Sequence, residues 1–164
     1  MIITPEDLPV IREKHKDQKI VFCSGTFDLP HVGHLLFFED CKKQGDILVV
    51  AIGKDANIKD YKGDKRPIMN EHIRLKMVDG MKPVDYALLD TYDAPKDDPL
   101  FLINYLIEKL KPEVYVINND AFNISYRQEM TKRNNIKLVI LERNCPPEFD
   151  NISTTKLIEK IKSS

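Results

Sequence analysis

The chain has 164 residues, of which 42% are hydrophobic and 31% charged, and its formal net charge is -1. This length is typical of one domain, which we place over residues 1–164 with a core from about residue 19 and an N-terminal extension over 1–18. The balanced charge argues against a basic nucleic-acid-binding or membrane-binding surface, so we expect neither nucleic acid nor membrane as a partner.

No segment predicts export or membrane insertion. The longest apolar runs, such as residues 47–52, are as long as strands and too short to span a bilayer. The first residues carry the acid pair Glu6-Asp7 and no long apolar segment, so we expect no signal peptide and a cytoplasmic location. Cys23, Cys41 and Cys145 are widely spaced and form neither a disulfide framework nor a zinc motif, so we expect reduced thiols.

Strand and helix signals alternate from the first apolar run onward. A strand is predicted at residues 19–24 and a helix at 34–43, where apolar residues recur at helical spacing. The continuous apolar run at 46–52 is typical of a strand covered on both faces of a parallel sheet. A polar, lysine-rich loop is expected over residues 53–67.

The middle of the chain repeats this alternation. A helix is predicted at 70–81, capped by Asn70, with Ile73, Met77 and Val78 facing inward. A strand follows at 84–89. The next helix ends near Leu110 and begins at a cap, with Pro99 in its first turn and either Asp97 or Asp98 as the capping residue.

The last third adds two strands and two helices. Strands are predicted at 113–117 and 136–141, with a helix at 123–134 between them. A final helix at 154–162 follows its cap, Ser153. The chain thus has five strands alternating with helices, which predicts an α/β fold with an open, doubly wound parallel sheet that binds ligands at the carboxyl ends of its strands.

The segment after the first strand is the most informative one. It reads Gly25-Thr26-Phe27-Asp28-Leu29-Pro30-His31-Val32-Gly33-His34. A strand that turns into a helix through glycine gathers backbone N–H groups and the positive end of a helix dipole, which suits phosphate. Two histidines three residues apart add donors that titrate near neutral pH. This pattern indicates chemistry on a nucleoside triphosphate.

Two further segments lie where strands end. Asn118-Asn119-Asp120 follows the fourth predicted strand, and the helix start at Ser153 follows the fifth. Because the carboxyl ends of parallel strands share one edge of a sheet, we expect these segments to converge with the glycine–histidine turn on one crevice.

These residues resemble the cytidylyltransferase-like nucleotidyltransferases. The turn at 25–34 is similar to the first signature of that family, and Ile152-Ser153-Thr154-Thr155-Lys156 is similar to the second. The resemblance runs from about residue 19 to the last residue and implies a Rossmann-like fold and a homodimer. Within the family, the segments 48–51, 62–68 and 83–86 together with Arg74 are most similar to the heptose 1-phosphate adenylyltransferases.

The resemblance implies transfer of a nucleoside monophosphate to a small phosphorylated acceptor, such as a sugar or polyol phosphate, with release of pyrophosphate. The predicted nucleotide is ATP, slightly ahead of CTP. Glycerol-3-phosphate cytidylyltransferases and FMN adenylyltransferases are the next most similar enzymes. A nucleotide-binding regulatory protein without catalysis is the alternative from another class.

The resemblance also implies residue roles. His31, His34 and Lys62 are the predicted catalytic residues, which contact the triphosphate and stabilise charge in the transition state. Magnesium is expected on the nucleotide phosphates, with no metal site built from protein ligands. The nucleotide-binding residues implied are Gly25, Thr26, Phe27, Gly33, Asp120, Ser153, Thr154 and Thr155. Possible substrate-binding residues are Arg74, Lys82, Asn118 and Asn119.

The chain departs from the family pattern in two loops. Heptose enzymes have Lys-Gly-Gly-Asp-Tyr after the fourth strand, where this chain has residues 117–121 and shares only Asp120. Glycerol-phosphate enzymes have Arg-Thr-Glu-Gly before the second signature, where this chain has Glu148-Phe149-Asp150-Asn151. The sequence therefore predicts nucleotidyl transfer and leaves the identity of the acceptor open.

Overall fold

The fold is built on one sheet of six strands. The computed structural model describes residues 1–91, 100–142, 146–149 and 152–164. The strands are β1 (Ile2–Ile3), β2 (Ile20–Gly25), β3 (Ile47–Ile52), β4 (Tyr86–Leu89), β5 (Val114–Asn118) and β6 (Lys137–Leu141). They lie in the order β1-β4-β3-β2-β5-β6, and every neighbouring pair is parallel.

The order of the strands creates a switch point beside β2. The chain moves outward from β2 through β3 to β4 and then returns to the other side of β2 to form β5 and β6. Crossovers on the two sides of β2 leave the sheet in opposite directions, which opens a crevice at the carboxyl ends of β2 and β5. The predicted parallel α/β sheet is therefore confirmed, although it has a sixth strand.

The prediction of five strands is wrong by one because β1 has only two residues, too few to show a periodic pattern. It is recognisable only from its pairing with β4, in which Ile2 lies opposite Ala87 and Ile3 opposite Leu88. Residues 1–18 also form a 3-10 turn and the first helix, whose Leu8 and Ile11 are buried.

Seven α-helices lie in the described part of the chain. They are α1 (Leu8–Lys14), α2 (Val32–Lys42), α3 (Asp55–Lys62), α4 (Glu71–Asp79), α5 (Phe101–Leu110), α6 (Ile124–Arg133) and α7 (Thr154–Ser163). None of these helices is long and apolar enough to cross a membrane. The predicted caps Asn70 and Ser153 are confirmed, since each side chain accepts a backbone N–H of its helix. The predicted cap at Asp97 or Asp98 and the predicted Pro99 lie outside the described residues.

The helices cover both faces of the sheet. Phe22 and Tyr115 point to the face that α1, α5 and α6 cover, where they join a core with Leu106. Cys23 and Val116 point to the opposite face, where α2 and α4 supply the packing partners. We call these the tyrosine face and the histidine face, because Tyr115 lies in the first core and α2 begins at His31. The alternation along β2 explains why this run is apolar at successive positions.

Two local predictions are wrong. The segment expected to be a polar loop at 53–67 contains α3, which escapes notice because the buried Ile58 stands among polar residues in the sequence of that helix. In α4, Ile73 and Met77 are 46% and 48% exposed, and the buried face includes Arg74 instead. Because a charged residue lies on the inner face of α4, the pattern of apolar residues in the sequence does not mark the side of the helix that is buried.

Arg74 links three segments at the carboxyl edge of the sheet through hydrogen bonds and an ion pair. Its guanidinium is fully buried and donates from Nη1 to the carbonyl of Thr26 at 2.6 Å and from Nη2 to that of Gly53 at 2.7 Å. It also pairs with Asp55 at 2.6 Å and donates to the Met69 carbonyl at 3.0 Å. Arg74 thus joins the turn after β2 to α3 and α4.

We expect Arg74→Met to lower the free energy of unfolding by about 3–5 kcal/mol, because the Asp55 carboxylate and the three carbonyls lose a buried charged donor. Urea denaturation measures this loss. His72→Met is the matched control, since His72 is exposed on the same helix and its replacement should stay within about 0.5 kcal/mol of wild type. Equal stability of Arg74→Met and wild type would contradict the structural role.

Candidate active site

A cleft of about 770 Å³ opens at the carboxyl ends of the strands. Its wall is formed by the turn after β2, the end of α3, the residues after β5 and the start of α7. The expected convergence of these segments is therefore observed. Among the residues that the sequence singles out, those lining the cleft are Gly25, Thr26, Phe27, His31, Gly33, His34, Lys62, Asn118, Asp120, Ser153, Thr154 and Thr155.

The turn after β2 is shaped by Phe27. This residue has a φ of 48°, which turns its ring back over the end of the strand. A Cβ atom on Gly25 would lie 2.9 Å from Cζ of Phe27, so only glycine fits beneath the ring. The ring packs 4.8 Å from that of Phe38 and belongs to the core, so Phe27 supports the turn as well as lining the cleft.

The two histidines form a stacked pair at the start of α2. Their ring centroids are 3.9 Å apart and the rings are inclined by 23°. His31 caps the helix, because its Nδ1 accepts the N–H of Gly33 at 3.1 Å. Nδ1 of His34 lies 3.4 Å from the backbone N–H of His31. Since both Nδ1 atoms face backbone donors, each neutral ring carries its proton on Nε2, the donor that an anion in the cleft would contact.

Gly33 lies directly beneath this pair. A Cβ at this position would approach the His31 ring to 3.0 Å and the carbonyl of Ile152 to 3.4 Å. The glycine therefore lets the His31 ring and the segment before α7 pack against the first turn of α2. This contact brings the two family-like segments of the sequence together.

Lys62 reaches the same turn from the last residue of α3. Its Nζ donates to Oγ1 of Thr26 at 3.0 Å. Partial burial of the ammonium lowers the pKa of Lys62, and the nearby positive charge of Arg66 lowers it further. The carboxylates of Asp28 and Asp120 act in the opposite direction on the same pKa. A cation near several other charges in a cleft is suited to bind a polyanion.

Asp28 holds the surrounding loops in place. Its carboxylate is 1% exposed and accepts the N–H groups of Ile68 at 2.8 Å and Met69 at 3.0 Å. Arg66 pairs with it at 3.2 Å. The carbonyl of Asp28 accepts the hydroxyl of Thr154 at 2.8 Å, which ties the start of α7 to the turn. The sequence shows that Asp28 is flanked by the apolar residues Phe27 and Leu29, but it does not reveal the partners of the carboxylate.

The start of α7 forms the far wall. Oγ of Ser153 accepts the N–H of Lys156 at 3.3 Å, so this side chain serves as the helix cap. Thr154 and Thr155 line the cleft beside it. The positive end of the helix dipole therefore borders the same cavity as the histidine pair.

Three predicted substrate-binding residues do not reach the cleft. Arg74 is fully buried in its four-acceptor network beneath the cleft. Lys82 is exposed and precedes β4, at the amino ends of the strands. Asn119 is exposed, and its N–H donates to the carbonyl of Leu141 at 2.9 Å. Asn118 alone of the four lines the cleft.

Sequence reasoning missed a polar group on the tyrosine face. Arg127 of α6 is 7% exposed and lines the cleft. Its Nε donates to the carbonyl of Phe122 at 2.8 Å, and its Nη1 donates to the phenol oxygen of Tyr115. That oxygen also lies 3.0 Å from Oγ of Ser24. These residues are far apart in the sequence and belong to no short motif.

Comparison with known proteins places this site in a family. A sequence model described as cytidylyltransferase-like matches residues 22–160. The bifunctional protein HldE of Helicobacter pylori (strain G27) is 36% identical over 151 residues, which are 91% of this chain and 29% of that protein. The bifunctional protein HldE of Helicobacter hepaticus is 34% identical over 163 residues, 99% of this chain and 30% of that protein. The chain thus spans less than a third of the length of these curated relatives.

Solved structures share the fold. A lipopolysaccharide core biosynthesis protein from Thermoplasma volcanium GSS1 aligns with a TM-score of 0.61 and 26% identity, over 79% of this chain and 98% of that protein. A pantoate-beta-alanine ligase from Francisella tularensis, complexed with beta-gamma ATP and beta-alanine, aligns with a TM-score of 0.68 over 100% of this chain and 78% of that protein. Its 17% identity shows a common fold alone.

A parallel sheet with a glycine–histidine turn and a helix N-terminus at its switch point defines an α/β nucleotide-binding class. Within that class, the chain belongs to the cytidylyltransferase-like family and is a nucleotidyltransferase. The predicted family, enzyme class and Rossmann-like architecture are confirmed.

We expect Asp28→Asn to destabilise the protein by about 1–3 kcal/mol, because the amide is uncharged and offers one acceptor oxygen to several buried donors. Urea denaturation measures the loss, and faster hydrogen exchange at the amides of Ile68 and Met69 locates it. Asp60→Asn, exposed on α3, is the control and should leave both measurements unchanged. Wild-type exchange rates in Asp28→Asn would contradict the anchoring role.

Proposed function

We propose that this chain transfers a nucleoside monophosphate from ATP or CTP to the phosphate of a small acceptor, such as a sugar or polyol phosphate. The observation that carries the proposal is the meeting of the stacked histidine pair, Lys62 and the start of α7 in one cleft. The resemblance of the segments 48–51, 62–68 and 83–86 to heptose 1-phosphate adenylyltransferases supports a phosphorylated sugar as acceptor and favours ATP over CTP.

The chemistry needs alignment and charge neutralisation more than proton transfer. An oxygen of the acceptor phosphate attacks the α-phosphorus, a new P–O–P bridge forms, and the bond to the β-phosphate breaks so that pyrophosphate leaves with its electron pair. Because the acceptor oxygen is already ionised, no base has to remove a proton. The protein therefore acts by holding two polyanions in line and stabilising the charge on the transferring group.

Each wall of the cleft has a part in this proposal. The Nε2–H groups of His31 and His34 donate to oxygens of the triphosphate, and their donation strengthens as charge develops on the leaving group. The N-terminus of α7, with Thr154 and Thr155, receives the β- and γ-phosphates. Lys62 bridges the turn after β2 and the nucleotide, and bound phosphates replace Thr26 as its partner.

Magnesium fits this site only as a companion of the nucleotide. Among the described residues, no group of three or more histidine, cysteine, aspartate or glutamate side chains is placed to hold a metal ion. The buried carboxylate of Asp28 is engaged by backbone N–H groups and Arg66. Mg²⁺ would therefore be held by phosphate oxygens and water, and when bound it supplies charge neutralisation on the triphosphate. The homodimer that the resemblance implies and the cytoplasmic location that the first residues of the sequence indicate stay predictions.

Pyrophosphate release tests the reaction. We expect release from ATP or CTP with one member of a panel of heptose 1-phosphate, glycerol 3-phosphate, phosphoethanolamine and FMN. His34→Ala should lower the turnover number by about 10²–10³ because a transition-state donor is lost. His31→Asn should do the same while keeping a capping oxygen on α2. His72→Ala, on the exposed face of α4, is the control and should keep full turnover.

Two outcomes would overturn the proposal. Full turnover in folded His31→Asn and His34→Ala would remove the histidines from the mechanism. Absence of pyrophosphate release across the panel, together with thermal stabilisation by nucleotide and Mg²⁺, would favour a nucleotide-binding regulatory protein.

The lowered pKa of Lys62 predicts a pH dependence of nucleotide binding. Lys62 binds phosphate as an ammonium ion, and bound phosphate raises its pKa again. Affinity should therefore be full below the pKa of Lys62 in the free protein and fall as the pH rises through it, starting below the ordinary lysine value of 10.5.

Isothermal titration of nucleotide with Mg²⁺ across this alkaline range, in buffers of different ionisation enthalpy, measures both affinity and proton uptake. Lys62→Met should bind about 10-fold more weakly and lose the proton uptake, because one charge-assisted contact is removed. Lys59→Met, exposed on the same helix, should behave as wild type. Unchanged proton uptake in Lys62→Met would contradict the assignment.

A further inference from the structure

Arg127 is a buried cation in the cleft that the proposed mechanism does not use. It comes from α6 and is 7% exposed, whereas most arginines in proteins lie at the surface. Burying a guanidinium is costly unless its hydrogen bonds are satisfied, so its presence in the wall of a functional cleft calls for an explanation.

The contacts of Arg127 hold the guanidinium in one orientation. Its Nε donates to the Phe122 carbonyl at 2.8 Å and its Nη1 to Oη of Tyr115. The guanidinium carbon also lies 5.7 Å from the centre of the Tyr115 ring. Because Tyr115 is fully buried in the sheet, it is a rigid support. A guanidinium held in this way keeps its positive charge at a fixed place in the wall of the cleft, which suits a phosphate.

Arg127 and the histidines approach the end of β2 from opposite faces of the sheet. The phenol oxygen of Tyr115 lies 3.0 Å from Oγ of Ser24, which precedes Gly25 at the end of β2. Tyr115 belongs to the core of the tyrosine face, whereas Phe27, packed against His34, belongs to that of the histidine face. The end of β2 therefore lies between the two groups.

In-line displacement requires anion-binding groups on two sides of the α-phosphorus, because the attacking oxygen and the leaving pyrophosphate lie on opposite sides of that atom. In the proposed function, the histidines and the start of α7 hold the leaving side. The attacking phosphate then has to be held on the other side, which is the side that Arg127 lines.

We propose that Arg127 binds the phosphate monoester of the acceptor and fixes its attacking oxygen on the tyrosine face of the cleft. Tyr115 and Ser24 are positioning residues in this proposal, because they orient the guanidinium and the end of β2. The inference rests on the proposed function for the role of the bound phosphate, but the anion site itself is testable without turnover.

The test uses inorganic phosphate as the probe. The full chain is saturated with Mg²⁺ and an α,β-methylene nucleotide, which blocks transfer and fills the triphosphate site, and phosphate is then titrated by calorimetry. The same titration is repeated without nucleotide. Arg127→Met should weaken phosphate binding by about 10- to 100-fold, since a charge-assisted contact is lost, and should leave nucleotide affinity unchanged.

Matched variants separate binding from folding. Arg133→Met, exposed at the end of the same helix, should bind phosphate as wild type does. Arg127→Lys keeps the charge without the planar fork and should give an intermediate affinity. Tyr115→Phe keeps the buried ring and should weaken phosphate binding by less than Arg127→Met does, again with unchanged nucleotide affinity.

The outcomes distinguish this inference from the proposed function. Equal phosphate affinity in Arg127→Met and wild type, or no phosphate binding by wild type, overturns the Arg127 site even if pyrophosphate release is observed. Phosphate binding that depends on Arg127 supports the site even if no member of the acceptor panel reacts. Where turnover is observed, a raised KM for the acceptor with an unchanged KM for the nucleotide in Arg127→Met supports it further.

Discussion

Asp28 places a nearly inaccessible carboxylate, 1% exposed, between the turn after β2 and the segment that leads into α4. A buried carboxylate is tolerated only where donors surround it, and here the donors are the N–H groups of Ile68 and Met69 and the guanidinium of Arg66. Arg66 follows Lys62 by four residues, so the same anchor limits where α3 ends and where its lysine ammonium lies. The Asp28 carbonyl adds the start of α7 through Thr154. Three walls of the cleft thus depend on this one residue.

The central fold follows from local sequence patterns. The apolar runs at β2 and β3 predict buried parallel strands because both faces of the sheet are covered, and the structure places Phe22 and Cys23 in opposite cores. The elements that escape prediction lack such a pattern. The strand β1 is two residues long, and in α3 the buried Ile58 stands among polar residues in the sequence. In α4, Val78 is buried as predicted, but Arg74 faces inward where Ile73 and Met77 were expected to, because its buried donors serve the carbonyls of distant segments.

The candidate site also contains residues that local sequence patterns predict and residues that they do not. His31, His34 and Ser153 are recognisable from sequence because their geometry is local, each within three residues of the helix start that it serves. Arg127, Tyr115 and Ser24 are not recognisable, because their contact joins β2, β5 and α6 only after the sheet has formed. A short sequence motif indicates the geometry of a single turn. A specificity site assembled across strands needs tertiary structure before its members come together.

Asn118 at the end of β5 and Asn119 after it stand at positions where the resembled pattern differs. The heptose-type pattern has glycines here, yet neither Asn118 nor Asn119 has a positive φ, so the backbone does not require glycine at these positions. The N–H of Asn119 donates to the Leu141 carbonyl at 2.9 Å and extends the ladder between β5 and β6. This donor serves the sheet, so a ligand on this wall meets the side chain of Asn118 and, further along the wall, that of Arg127. Recognition by side chains depends more strongly on the shape of the ligand than recognition by backbone N–H groups, because each side chain has a fixed reach and a fixed set of donors. Under the proposed function, the histidine face therefore supplies the groups that bind the nucleotide, and the tyrosine face supplies the side chains that contact the acceptor.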